Sequence, residues 1–231
     1  MQFTAGRKTV SVYPAAAPGR PIVYLNTYEE EEERIYRELQ AEDSCPDFTL
    51  VAVTGLEWNQ DMVPWDIPPV FAGDSAYTGG AGAYLRLLVE EIIPEAESRL
   101  PGKPSWRGVA GYSLAGLFAV YSLYQTDAFQ RAASMSGSLW FPEFREYVLS
   151  NEMKGKTEHV YLSLGDRECR TGNPYLRTVQ ERTEEIAALY RGKGINTVFQ
   201  LNHGGHGRNT VRRTAAGIRW ILQAENVKEA E

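Results

Sequence analysis

Cysteine and histidine are scarce in this 231-residue chain, with two of the first and three of the second. Cys45 and Cys169 lie far apart. They fit neither a secreted disulfide framework nor a metal-ligand spacing, so no metal and no disulfide-built fold is expected. Charge of one sign is not concentrated. The 24 Lys and Arg stand against 30 Asp and Glu, for a net charge of −6, and no basic stretch stands out. That argues against a nucleic-acid partner. Apolar runs long enough for a membrane are missing too. Residues 108–126 carry no charge, but the glycines, serines and tyrosines among them make a poor span, so no membrane partner is expected. The first eight residues lack an apolar core, which predicts no signal peptide and a cytoplasmic protein. Hydrophobic residues make up 43% of the chain, which excludes disordered and collagen-like classes. One domain over 1–231 is expected, frayed at 225–231.

What is present is an alternation of two periodicities. Thr9–Tyr13, Pro21–Asn26 and Phe48–Thr54 read as strands, the last a continuous apolar run of the kind buried on both faces. Between them Ile35 and Leu39 mark a helix whose five glutamates, Glu29 to Glu33, form a solvated face. Arg107–Tyr112, Ala132–Ser136, His159–Leu164 and Thr197–Leu201 read as further strands. Helices are expected around Leu85–Ala96 and over Leu114–Tyr124, Tyr175–Arg191 and Thr210–Ala224. Strands alternating with helices predict an α/β fold, a mostly parallel central sheet with helices on both faces. The segment 55–83, rich in proline and glycine and holding two tryptophans, reads as an irregular loop lining a site.

The most informative hexapeptide is Gly111-Tyr112-Ser113-Leu114-Ala115-Gly116. It ends a strand and opens a helix. A serine on so sharp a turn lifts its hydroxyl clear of the sheet, and the residues two before and two after it must be small. Gly111 and Ala115 meet that condition. The Leu114 N–H then faces the place where an oxyanion would form, at a helix N-terminus with its positive dipole. A serine needs a base. His159 opens a strand and reads as structural. His203 and His206 lie in the glycine-rich loop after the last strand, where the carboxyl edge of the sheet would bring them to the serine; His206, deeper in the loop, is the preferred base. An acid should come between them in chain order and orient the imidazole. Strand 159–164 runs into Gly165-Asp166-Arg167-Glu168, so Glu168 is the first choice, Asp166 the alternative, and a Ser–His pair without an acid stays open.

These residues, with Ser134-Met135-Ser136-Gly137-Ser138-Leu139-Trp140 and Gly204-Gly205-His206, resemble the putative-esterase family of α/β-hydrolases, which includes enterochelin (siderophore), feruloyl and esterase D-like enzymes. The resemblance runs from Phe48 to about Leu222. It implies an α/β-hydrolase fold, no cofactor, and a serine carboxylic-ester hydrolase working through an acyl-enzyme. Ser113 matches the nucleophile and His206 the base, and Glu168 falls where relatives carry an acid. Gly55-Leu56-Glu57-Trp58-Asn59 looks like the loop giving a second oxyanion N–H, from Leu56 or a neighbour. Trp58, Met62, Trp65, Trp140 and Phe141 are candidates for an aromatic pocket wall. Arg167, Arg170, Arg208, Arg212 and Arg213, on the acid and base loops, suggest a small-molecule ester that is polar or anionic, such as a siderophore. An acyltransferase or peptidase with the same Ser–His pair, or an inactive hydrolase-like binding protein, is the alternative.

Overall fold

The computed structural model describes residues 1–42, 44–70 and 73–223; the expected fraying at 225–231 lies outside the described residues. In chain order the strands are β1 (Gln2–Ala5), β2 (Lys8–Tyr13), β3 (Ile22–Asn26), β4 (Thr49–Thr54), β5 (Asp66–Ile67), β6 (Tyr77–Thr78), β7 (Arg107–Tyr112), β8 (Arg131–Met135), β9 (His159–Gly165) and β10 (Asn196–Asn202). The helices are α1 (Glu31–Gln40), α2 (Trp58–Asp61), α3 (Ala81–Leu87), α4 (Ile93–Ser98), α5 (Leu114–Gln125), α6 (Phe144–Ser150), α7 (Val179–Gly192) and α8 (Thr210–Gln223).

Eight strands form one sheet in the order β1-β2-β4-β3-β7-β8-β9-β10. From β4 to β10 all neighbours are parallel, while β1 and β2 are antiparallel additions at one end. The central strands are buried on both faces, which is why they read as apolar runs rather than alternations. On one face α1 and α8 cover Val23, Leu25, Leu50, Ala110 and Ala133. The other face packs against the helical layer from α3 through α7, with Phe118, Tyr190 and Phe144 fully buried. Residues of opposite parity on β3, Ile22 and Tyr24 against Val23 and Leu25, go to opposite layers, as the period of two requires.

Two departures from the sequence reading have local causes. The helix expected around 85–96 is continuous over three segments, with a π-turn at Leu88–Ile92 between α3 and α4. Pro94, one residue beyond α4's start, cannot donate to an i−4 carbonyl, and the wider turn absorbs that loss. Both β1 and α6, four and seven residues long, are too short to show a period, and neither was expected. Among the described residues no helix is long and apolar enough to cross a membrane.

The irregular segment is organised by one buried ion pair. Lys8 on β2 donates to Asp61 and to the Gly55 carbonyl (3.2 Å), and Asp61 accepts the Glu57 N–H at 2.8 Å. Both side chains are largely buried. Replacing Lys8 with Met would leave the Asp61 charge uncompensated. The Lys8→Met protein is expected to lose about 3–5 kcal/mol of stability, read from the denaturant midpoint, with the loss shrinking in Lys8→Met/Asp61→Leu.

Candidate active site

Ser113 occupies the one-residue corner between β7 and α5, with φ 60° and ψ −121°. A non-glycine residue at positive φ is strained, and its neighbours hold it there. Its N–H donates to the Met135 carbonyl at 3.0 Å, and its own carbonyl accepts the N–H groups of Gly116 and Leu117 from the helix and of Ser138 from the next loop. The corner is closed by small residues. A Cβ on Gly111 would come within 2.5 Å of the Ala115 backbone, and one on Gly116 within 2.8 Å of Ser134 Oγ. Behind the corner every residue of α5 from Leu114 to Tyr124 is buried, so the strained turn is anchored in the core.

His206 lies between two groups. Its Nε2 is 3.0 Å from Ser113 Oγ and its Nδ1 is 2.8 Å from Glu168 Oε2. The imidazole is 49% exposed while the Glu168 side chain is 5% exposed, so the acid sits behind the ring and the serine at its open side. The other carboxylate oxygen, Oε1, accepts from Ser136 Oγ (2.7 Å), the Gly165 N–H (2.5 Å) and Arg213 Nη2 (3.2 Å). Burial pushes the Glu168 carboxyl up, but the His206 ring, Ser136 and the Gly165 N–H outweigh it and hold it below the usual carboxylate range.

Asp166 does a different job. Its Oδ1 accepts the Gly204 N–H at 2.8 Å and Oδ2 lies 3.4 Å from His203 Nδ1, so it braces the start of the loop and not the imidazole of His206. The Gly204 N–H holds its carboxyl below the ordinary value. His203 is exposed, and His159 is buried in β9 with Nδ1 2.9 Å from Asn196 Nδ2.

A cavity of about 200 Å³ opens over Ser113. Trp58, Trp140, Tyr28, Tyr77, Leu114, Leu176, Val179, Ser136 and Ser138 join the three polar residues in its wall. Two of the expected tryptophans therefore line it. Trp65 does not: it packs beside Phe141, Phe144 and Tyr147 and donates Nε1 to the Pro142 carbonyl. Met62 and Phe141 are likewise core residues. Arg170 is exposed and outside the wall, and no Lys or Arg lines the cavity among the described residues. Arg212 pairs with Glu38, and Arg213 turns inward to Glu168. None of these arginines reaches the cavity wall, and Arg213 meets the site from behind Glu168.

Leu56 also falls elsewhere. It follows β4, which is separated from β7 by β3, and it packs on the core outside the cavity. Between β4 and β7 lies β3, which pairs β7 with Asn26 opposite Gly111. The loop after β3 therefore borders the serine. Thr27 spends its N–H on the Val53 carbonyl, whereas the N–H of Tyr28 has no partner among the described residues and Tyr28 lines the cavity. Only the strand order singles out Tyr28; nothing in its local sequence does.

Comparison with known proteins agrees with this architecture. The Esterase family model, described as putative esterase, matches residues 19–215. It begins before β3, earlier than the resemblance read from Phe48. An uncharacterized Bacillus subtilis (strain 168) protein, YbbA, is 23% identical over 190 residues, covering 79% of this chain and 76% of its own. Among solved structures, the siderophore hydrolase EstA from Aspergillus nidulans superposes with a TM-score of 0.73 at 17% identity, over 96% of this chain and 93% of that one. An IroE-like serine hydrolase from Shewanella oneidensis superposes at 0.75 with 18% identity, over 93% and 75%. At these identities the superpositions establish a shared α/β-hydrolase fold.

The corner itself yields a prediction. Gly111→Ala forces a methyl group into the Ala115 backbone and is expected to lower stability by about 1–3 kcal/mol or more. Gly172→Ala, where a Cβ meets nothing within 4 Å, is the control and should melt like the parent in a thermal scan.

Proposed function

The chain belongs to the putative-esterase family, and on that premise we propose that it is a serine-dependent carboxylic-ester hydrolase that works through an acyl-enzyme. The observation that supports the reading best is the hydrogen-bonded row from Ser113 Oγ through the His206 ring to Glu168. In this reading Ser113 Oγ attacks the ester carbonyl as His206 Nε2 takes its proton. The tetrahedral oxyanion is held by the N–H groups of Leu114 and Tyr28, preorganised at a helix start and at a strand end. Collapse expels the alcohol, which leaves with the proton from His206. A water then gives its proton to His206, attacks the acyl carbon, and frees Ser113 and the acid. Glu168 stays ionised throughout, fixes the tautomer that leaves Nε2 free to accept, and stabilises the imidazolium. Asp166 has no chemical role.

The cavity supports a narrower substrate class than the arginine-rich loops suggested. Its volume is below the ~300–1,000 Å³ usual for drug-sized ligands. Its walls are mostly aromatic and aliphatic, with Ser136, Ser138 and the Glu168 carboxylate beside the Ser113–His206 pair, and carry no Lys or Arg among the described residues. A compact, uncharged acyl group, aromatic or apolar, fits that environment better than an anionic one. The structurally similar EstA is a siderophore hydrolase; of a siderophore ester only an acyl fragment would sit inside this cavity.

Turnover of p-nitrophenyl esters, and covalent labelling of Ser113 by a fluorophosphonate followed by intact mass, test the reading. Ser113→Ala is expected to lose labelling and on the order of 10⁴-fold or more in kcat with its melting unchanged. Glu168→Gln should cost on the order of 10³–10⁴-fold, and Asp166→Asn about tenfold or less. A larger loss in the Asp166 variant than in the Glu168 variant would reverse the assignment of the acid. For the acyl pocket, Trp140→Ala should lower kcat/KM for a benzoate ester relative to an acetate by roughly 2- to 12-fold, the equivalent of about 0.5–1.5 kcal/mol.

A further inference from the structure

Arg213 is among the most buried charged residues of the protein, its side chain 4% exposed, and the chemistry above gives it no part. It enters from the first turn of α8, and its guanidinium touches both halves of the site. Nη2 donates to Glu168 Oε1 at 3.2 Å. Nη1 donates to the Tyr112 hydroxyl at 2.9 Å and to the carbonyls of Gly205 and Arg208 at 3.3 and 3.4 Å. Tyr112 in turn donates to the backbone carbonyl of His206. The acid loop, the histidine loop and the end of β7 are thus tied to one planar cation.

The two oxygens of Glu168 divide the work. Oε1 receives three donors and Oε2 receives the imidazole. A carboxylate with one oxygen so occupied has little freedom to rotate away from the ring. We propose that Arg213 is a positioning residue: it locks the acid and the histidine loop into one unit and offsets part of the carboxylate's charge at the imidazole. This rests on the hydrolase reading of Ser113, His206 and Glu168.

The charge effect has a definite sign. The ionisable groups facing the Glu168–His206 pair are Arg213 from α8 and Tyr112 from β7; on the two loops Asp166 is occupied by Gly204 and His203, and Arg208 meets Arg213 only through its carbonyl. Burial raises the Tyr112 hydroxyl above its ordinary value, so it stays neutral. Arg213 is therefore the fixed cation opposing Glu168. Without it the carboxylate, still held by Ser136 and the Gly165 N–H, acts on the imidazole unopposed and favours its protonated form. The base is then neutral only at higher pH.

The test is the pH profile of kcat/KM for a p-nitrophenyl ester together with the rate of Ser113 phosphonylation by a fluorophosphonate. Arg213→Met is expected to lose roughly 10²-fold in kcat with KM little changed, and its acidic limb should move up by roughly one pH unit. Arg213→Lys keeps the charge but loses the fork, so its kcat should fall while the limb stays in place. Tyr112→Phe removes the tie to the His206 carbonyl and should lower kcat without moving the limb. If Arg213→Met does not fold, the lysine and phenylalanine variants still decide: wild-type kcat in both overturns the inference. An unmoved acidic limb in a folded Arg213→Met protein reduces Arg213 to packing. Labelling of the wild type with equal rates in the variants sinks the positioning role alone, whereas no labelling of the wild type sinks the hydrolase reading and this inference with it.

Discussion

The imidazole of His206 bridges a hydroxyl 93 residues before it and a carboxylate 38 residues before it, and the site exists only while both contacts hold. Ser113 is fixed by the corner between β7 and α5, and Glu168 by three donors on its far oxygen. The parallel sheet makes the meeting unavoidable, because β7 and β9 both end at the same edge and the loop after β10 folds back over it.

Strain and burial are matched around that edge. Ser113 and Ser136 are both non-glycine residues at positive φ, and both border the cavity. Such conformations cost of order 1–3 kcal/mol each and persist where the surroundings over-determine them. Here the surroundings are α5, buried from Leu114 to Tyr124, and the close approach of Gly116 to Gly137 and Ser134. The rigidity fixes Ser113 and the Leu114 N–H at the helix start before any ligand arrives.

Polarity is separated across the site. The buried cation Arg213 lies behind Glu168 and outside the cavity wall, where aromatic and aliphatic side chains face Ser113, His206, Glu168, Ser136 and Ser138. The buried cation therefore faces the carboxylate and not the cavity. Lys8 and Asp61 do the equivalent work on the other flank, holding α2 and with it Trp58 against the sheet.

The sequence by itself determined the alternation of strands and helices, the corner at Ser113 and the choice of His206 over His203. Each rests on a local pattern: apolar runs of strand length, obligatory small residues at 111 and 115, and a glycine-flanked histidine after the last strand. It ranked Glu168 ahead of Asp166 and left a Ser–His pair alone open, because the two carboxylates are two residues apart on a turn and only the folded loop sends one to His206 and the other to Gly204. Tertiary structure alone decided the rest. The strand order put Tyr28, and not Leu56, beside the serine; packing drew Trp65 into the core and kept Trp58 and Trp140 at the wall; and a buried carboxylate turned Arg213 inward. These outcomes depend on which segments become neighbours across the sheet, and that is set by the summed burial of distant residues, which no short stretch of sequence records.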